Sequence, residues 1–292
     1  MRTRLILLIA ALVCASTATA RAKLLVEIVA EKQGDDVLLY AHLQNCLSAS
    51  LEMTLDLTNM QSSQPAPVRR DLIGPRTLLT TLSKRDRTKA WAYKYRFRYV
   101  VGRTGALPDP GAVYQLPFAS GSPFPIKQGY GGSFSHPKGT PSEYSIDWAM
   151  PVGTPALAAR GGRVVGIRDD SDENGLTTDY VTKANLVAVE HADGTIAEYV
   201  HLKFHGVAVT LGQNVRAGEL VGYSGNTGYS SEPHLHVRIS MVKSPGYDES
   251  LPVRWDPPLD FSPGPQKMEP LKTETRPTEE RVSSERSVDS AK

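Results

Sequence analysis

Cysteine is almost missing from this chain: 292 residues hold only Cys14 and Cys46. A disulfide framework cannot be built from that supply, so the fold must rest on packed apolar surface. Charge of one sign is missing as well. The 33 Lys and Arg stand against 31 Asp and Glu, a net +2. No run of basic residues concentrates that charge, which removes the case for a nucleic-acid partner. Long apolar runs are absent too. The longest near the start, Leu5 to Val13, has nine residues, against the roughly 20 that a membrane-spanning helix needs. No His-Glu-x-x-His helix occurs, which excludes thermolysin-like chemistry, and no glycine loop carries the lysine and serine of a phosphate-binding P-loop. What remains is an ordinary globular balance, 40% hydrophobic and 22% charged, which excludes wholesale disorder and collagen.

The first 20 residues have the order of a secretory signal. Met1-Arg-Thr-Arg4 is basic, Leu5–Val13 is apolar, and Ala18-Thr-Ala20 is a small-x-small cleavage site. The expected product is exported, periplasmic or secreted, with no stable membrane insertion. Removing Arg2 and Arg4 with the signal leaves 31 basic residues (33 less 2) against 31 acidic ones. Cys14 lies inside the signal behind Val13, where a lipid-attachment site would want Gly or Ala. Cys46, the remaining thiol, is expected to be a small buried hydrophobe.

The rest of the chain reads as β-structure. Between residues 21 and 106, Leu51–Leu57 and Trp91–Tyr99 alternate with period two. Trp91, Tyr93, Tyr95, Phe97 and Tyr99 share one face, expected to be the core face of a small antiparallel sandwich. The prolines at 108, 110, 117, 123 and 125 suit a connection, which places a boundary near Thr104–Pro110. A second β-domain is expected over residues 112–262. Its clearest unit is a hairpin, Asn185–His191 and Thr195–His201, turned by Asp193-Gly194. Gly129–Gly132 and Gly225–Gly228 are expected as tight turns, and Asp169–Thr182 as an exposed loop. Residues 263–292 are expected to be disordered, because Gln266–Lys292 has no aromatic residue and interleaves six basic with six acidic side chains.

Six of the seven histidines fall between His136 and His236, a clustering that points to metal or acid–base chemistry. In His234-Leu235-His236 both imidazoles project from the same side of a strand. Asp147, flanked by Ile146 and Trp148, is shielded from water and needs a partner such as a divalent cation. His136 follows a glycine turn, and His201 closes the hairpin. Two imidazoles and a carboxylate form a common open ligand set for catalytic zinc. His191 and His205 are expected at the surface, and His42 as structural.

These residues fall in a recognisable order. His136 is followed by Asp147, Ala149–Ala159, Gly162–Val165, Tyr199-Val-His-Leu202, Val215–Gly222, Ser224–Gly228 and Pro233-His-Leu-His236. This pattern, from about Gly129 to Ile239, resembles the M23 metallopeptidases of the lysostaphin or LytM type. The N-terminal antiparallel β-sandwich lies outside the resemblance; for the segment it covers, the resemblance implies an antiparallel LytM-type catalytic sheet, which makes the expected chain all-β. It implies one zinc ion held by His136, Asp147 and His236, with His201 and His234 as the catalytic pair. It further implies that the enzyme is a metalloendopeptidase whose substrates are peptidoglycan peptides, cut in cross-bridges or stem peptides. The sandwich is then free to meet an envelope protein partner. Many members keep three residues between the first histidine and the aspartate. Here there are ten, so Pro137–Glu143 is expected as a loop over the site. Two other readings fit the pattern less well. A non-catalytic LytM-like module that binds or activates another wall hydrolase is disfavoured by the presence of all five polar positions. A phosphocarrier is disfavoured by the export signal.

Overall fold

A computed structural model of the chain describes residues 25–122 and 124–259, together with 279–283 as a strand. The expected signal peptide lies outside the described residues. The N-terminal body contains β1 (Val26–Gln33), β2 (Asp36–Leu43), β3 (Ala49–Thr58), β4 (Met60–Ser62), β5 (Val68–Leu72), β6 (Arg76–Lys84) and β7 (Ala92–Val101). They form two antiparallel sheets, β1-β2-β6-β4 and β7-β3-β5. Val26, Leu39 and Leu82 of one sheet share a single core with Leu51, Met53, Leu72 and Phe97 of the other. Period two decides which side chains enter that core. Along β7, Tyr93, Tyr95 and Phe97 are buried while Lys94 and Arg96 are exposed. The aromatic stripe is therefore core, with Trp91 stacked beside Tyr93 at 6.3 Å and Phe97 beside Tyr99 at 6.4 Å. Cys46 is buried and free, as expected, and burial pushes its thiol up to about 12.

The second body adds β8 (Val113–Gln115), β9 (Ile126–Gln128), β10 (Ser145–Trp148), β11 (Pro155–Leu157), β12 (Gly162–Arg168), β13 (Asn174–Gly175) and β14 (Asn185–Glu190). It continues with β15 (Ile196–Val207), β16 (Asn214–Val215), β17 (Leu220–Ser224), β18 (Gly228–Tyr229), β19 (Leu235–Ser244), β20 (Tyr247–Ser250) and β21 (Arg254–Asp256). Its main sheet runs β16-β12-β14-β15-β19-β10-β9, with β11, β17 and β20 attached. One face of this sheet is the core: Ile146, Trp148, Val187, Val189, Tyr199, Leu235 and Val237 pack against Tyr114 and Trp255. The expected hairpin forms, with Glu190 opposite Ile196 and Gly194 at φ +80° in the turn.

The opposite face is divided. Val165, Ala188 and Ile196 pack against Leu47 and Val101, which brings the sandwich onto the β12–β14–β15 end. A second contact joins the bodies at the β19–β20 turn. There Tyr247 donates a 3.0 Å hydrogen bond to Glu52 and receives the Arg98 guanidinium over its ring. The other half of the face carries Asp147 and His236.

Three expectations change. Within the tail expected to be disordered, Glu279–Ser283 forms β22 and pairs with β7 from Tyr93 to Phe97. An open sheet edge presents unpaired backbone groups, and a strand from the chain's own tail satisfies them. The rest of that tail lies outside the described residues. Asp169–Thr182 is more than an open loop, because Asn174-Gly175 pairs in parallel with Gly228-Tyr229 and Thr178–Lys183 is a 3-10 turn. His191 is buried rather than superficial. It continues the inward series Val187, Val189, so its ring lies under Tyr114 and Nδ1 is 2.9 Å from the Gly161 carbonyl.

Burial lowers the pKa of His191 to about 4, whereas the unfolded value is about 6.5. The unfolded chain therefore binds a proton that the folded chain refuses. The stability this withholds is fully present above about pH 6.5 and is lost as the pH falls to about 4, a drop of about 3 kcal/mol. In urea unfolding at pH 7.5 and pH 4, His191→Gln should show a pH-dependent loss smaller than the parent's by about that amount. Equal losses in the two proteins would contradict the assignment.

Candidate active site

The site begins with strand register. β10 and β19 are antiparallel, and Asp147 lies opposite His236 with Trp148 opposite Leu235. Directly opposed residues project to the same side, so the carboxylate meets the imidazole while Trp148 and Leu235 enter the core. His136 arrives from outside the sheet, on the turn that follows β9. The three side chains converge. His136 Nε2 is 3.3 Å from His236 Nδ1 and 3.4 Å from Asp147 Oδ1, and His236 Nδ1 is 2.8 Å from that oxygen. Tetrahedral zinc with bonds of about 2.0–2.1 Å keeps its ligand atoms about 3.3–3.4 Å apart. Two of the three separations have that value. Two imidazole nitrogens and one carboxylate oxygen also make a suitable donor set, so the residues fit a zinc ion.

The electrostatics agree with a cation site. Asp147 is buried, which by itself raises its pKa. The charges of His136 and His234 and the hydrogen bonds from His136 and His236 outweigh burial and hold the carboxyl well below the usual range. His201 is driven well below the ordinary imidazole value by burial and by the neighbouring charges of His234 and His236. Burial also lowers His236, partly offset by Asp147.

His201 and His234 lie beside the trio, their ring centroids 4.5 Å apart, and His234 Nε2 is 3.9 Å from Asp147 Oδ1. Each has its Nδ1 against a carbonyl: Thr227 at 2.6 Å for His201 and Glu232 at 2.8 Å for His234. A carbonyl can only accept, so each Nδ1 donates and Nε2 is the ring nitrogen left to face the site. His136 follows the same rule, with Nδ1 held by Gly129 O at 3.2 Å and Nε2 turned to the trio. The turns at Gly129–Gly132 and Gly225–Gly228 thus supply the carbonyls that fix two of these rings.

His201 reaches this face through a break in the strand pattern. Tyr199 and Leu202 both point into the core, which strict alternation forbids. His201 has φ +64°, the pairing register shifts beside it, and the extra residue turns outward. A bulky residue in the left-handed region is strained, and such strain gathers at functional sites.

The remaining expectations can be placed. Pro137–Glu143 folds back on itself through Thr140 and Glu143, and its Pro141 carbonyl accepts from Arg238 at 3.2 Å. Arg238 is buried between Glu198 and Asp248 on the same face as His236. His205 is exposed and stands apart from the trio. Residues 173–175 bind the backbone of 228–230, whose Ser230 hydroxyl is 3.2 Å from His234 Nδ1. Sequence reasoning missed Gln128, which bonds to Asp147 and to the His136 turn. Its signal was a polar residue two positions after Ile126, directly ahead of a glycine turn.

Residues 141–247 match the model of peptidase family M23. This segment is an M23 peptidase domain. His136 lies just ahead of the matched span. The chain is 37% identical over 115 residues to the glycyl-glycine endopeptidase ALE-1 of Staphylococcus capitis, covering 38% of this chain and 28% of that one. It is 34% identical over 93 residues to the peptidoglycan DD-endopeptidase ShyA of Vibrio cholerae, covering 32% and 19%. The chain therefore spans about a quarter or less of the length of these relatives. Among solved structures, the catalytic domain of lysostaphin from Staphylococcus simulans is 29% identical, with 40% of this chain and 79% of that one covered at a TM-score of 0.30.

The M23 turn after β17 has no room to spare. A Cβ on Gly228 would lie 2.4 Å from Ala184 Cβ, whereas one on Gly139 would meet nothing within 4 Å. The two share nearly the same φ, +81° and +80°, so backbone strain cancels in a comparison. Gly228→Ala should lose about 1–3 kcal/mol more in unfolding free energy than Gly139→Ala. Equal losses would mean that the turn yields freely.

Proposed function

We propose that the protein is an exported zinc metalloendopeptidase that cuts peptide bonds of bacterial peptidoglycan, in cross-bridges or stem peptides. The observation that carries this reading is the meeting of His136 Nε2, Asp147 Oδ1 and His236 Nδ1 within 3.4 Å of one another. Two further imidazoles, their Nδ1 atoms held by the Thr227 and Glu232 carbonyls, lie beside them. The activities named for ALE-1 and ShyA support peptidoglycan peptides as substrates. Such substrates lie outside the cytoplasm, which accords with the signal-like order of residues 1–20.

In this reading His136, Asp147 and His236 hold one zinc ion. When bound, zinc supplies Lewis acidity toward a peptide carbonyl and makes a water acidic near neutral pH. His201 and His234 do the proton work. Their Nδ1–H groups are committed to Thr227 and Glu232, so the rings cannot rotate away. Each Nε2 can take a proton from the attacking water. Once protonated, it can donate to the tetrahedral oxyanion or to the leaving amine. The pair shares these roles. Pro137–Glu143 on one side and Asp169–Thr182 on the other act as walls of the peptide groove.

Alanine variants separate the two groups of residues. His201→Ala and His234→Ala should lower turnover of a purified muropeptide about 10²–10⁴-fold while retaining zinc. His236→Ala and Asp147→Ala should lose the metal as well as the activity. Metal analysis alongside product chromatography reads both. Zinc lost from His234→Ala but kept by His236→Ala would reverse the assignment on β19.

A further inference from the structure

Gln128 lies at the end of β9 and is buried. Its Oε1 accepts from two backbone amides, Phe134 N at 2.9 Å and Ser135 N at 3.1 Å. Backbone N–H groups can only donate, so the amide orientation is fixed and Nε2 must point the other way. Nε2 then donates to Asp147 Oδ2 at 3.0 Å and to Ser135 Oγ at 2.7 Å. One side chain therefore grips both the turn that carries His136 and the carboxylate of Asp147. Gly132 is shaped around it: a Cβ there would lie 2.2 Å from Gln128 Cγ.

The two oxygens of Asp147 are thereby given different tasks. Oδ1 faces the nitrogens of His136 and His236, and Oδ2 faces Gln128. With Oδ2 engaged, the carboxylate can offer a metal one oxygen only. If it were released, rotation about the terminal torsion would bring both oxygens forward, into space that a water or a substrate carbonyl needs. We infer that Gln128 is a positioning residue that holds Asp147 as a one-oxygen ligand and so keeps a coordination position open. This rests on the reading of His136, Asp147 and His236 as a metal site.

The test uses the full chain and cobalt(II), whose visible absorption is stronger in four-coordinate than in five-coordinate sites. Gln128→Met keeps the length of the side chain and removes both polar ends. Its cobalt band should be clearly weaker than the parent's, and its zinc affinity, measured by chelator competition, should fall about 10–100-fold. Ser135→Ala removes only the hydroxyl contact on the turn and should keep the parent spectrum. If Gln128→Met does not fold, Gln128→Asn, which retracts the amide by one methylene, should show the same two changes. A folded Gln128 variant with the parent's cobalt spectrum, or with zinc affinity within about threefold of the parent, overturns the inference. So does Ser135→Ala matching the Gln128 variant, since the turn alone would then be responsible. A parent protein that binds neither metal overturns the metal-site reading itself.

Discussion

The pairing of β10 with β19 sets Asp147 opposite His236, and most of the site follows from that register. A slip of β10 by one residue against β19 would send Asp147 into the core and bring Trp148 out to the opposite face. The cost of unburying that indole protects the register. Trp148 has Phe118 and Trp255 around it in edge-on contacts at 5.9 and 5.5 Å. Packing on one face of the sheet thus positions ligand atoms on the other.

That arrangement concentrates charge in a dry place. Asp147 is surrounded by His136, His234 and His236, and a second buried cluster, Arg238 with Glu198 and Asp248, lies two residues further along β19. Buried charges persist only when paired and hydrogen-bonded. In the Arg238 cluster the guanidinium pairs with Glu198 and Asp248 and ties Pro141 of the loop after His136 to the sheet. The sandwich occupies the far end of the same face, through Leu47 and Val101. Along β19 the step from His236 to Ser240, opposite Ile196, is about 13 Å at roughly 3.3 Å per residue. The N-terminal body is therefore a near neighbour of the site.

The β-class and the hairpin were legible because period-two alternation and Asp-Gly turns are local signals. His136, Asp147, His201, His234 and His236 could be singled out by type and order, and the fold brings them together. Other features were illegible for definite reasons. The outward turn of His201 depends on one residue at positive φ, which breaks the alternation that sequence reading assumes. Gln128 gains its importance from partners at 134, 135 and 147, and no spacing rule anticipates an amide bonded to a turn and to a neighbouring strand. His191 was legible in principle, two positions after Val189 on the inward face. Its polar type suggested the surface instead. The segment after Asp169 looked like an open loop because its stabilising bonds go to residues 228–230, more than fifty positions away.

His136 Nε2, Asp147 Oδ1 and His236 Nδ1 are proposed to hold one metal ion. Anomalous diffraction at the zinc absorption edge, from crystals of the zinc-supplemented protein, tests it without reference to activity. One strong peak is expected about 2.0–2.1 Å from His136 Nε2, Asp147 Oδ1 and His236 Nδ1. The contradicting result is no peak at that position, or a peak held by His234 in place of His236.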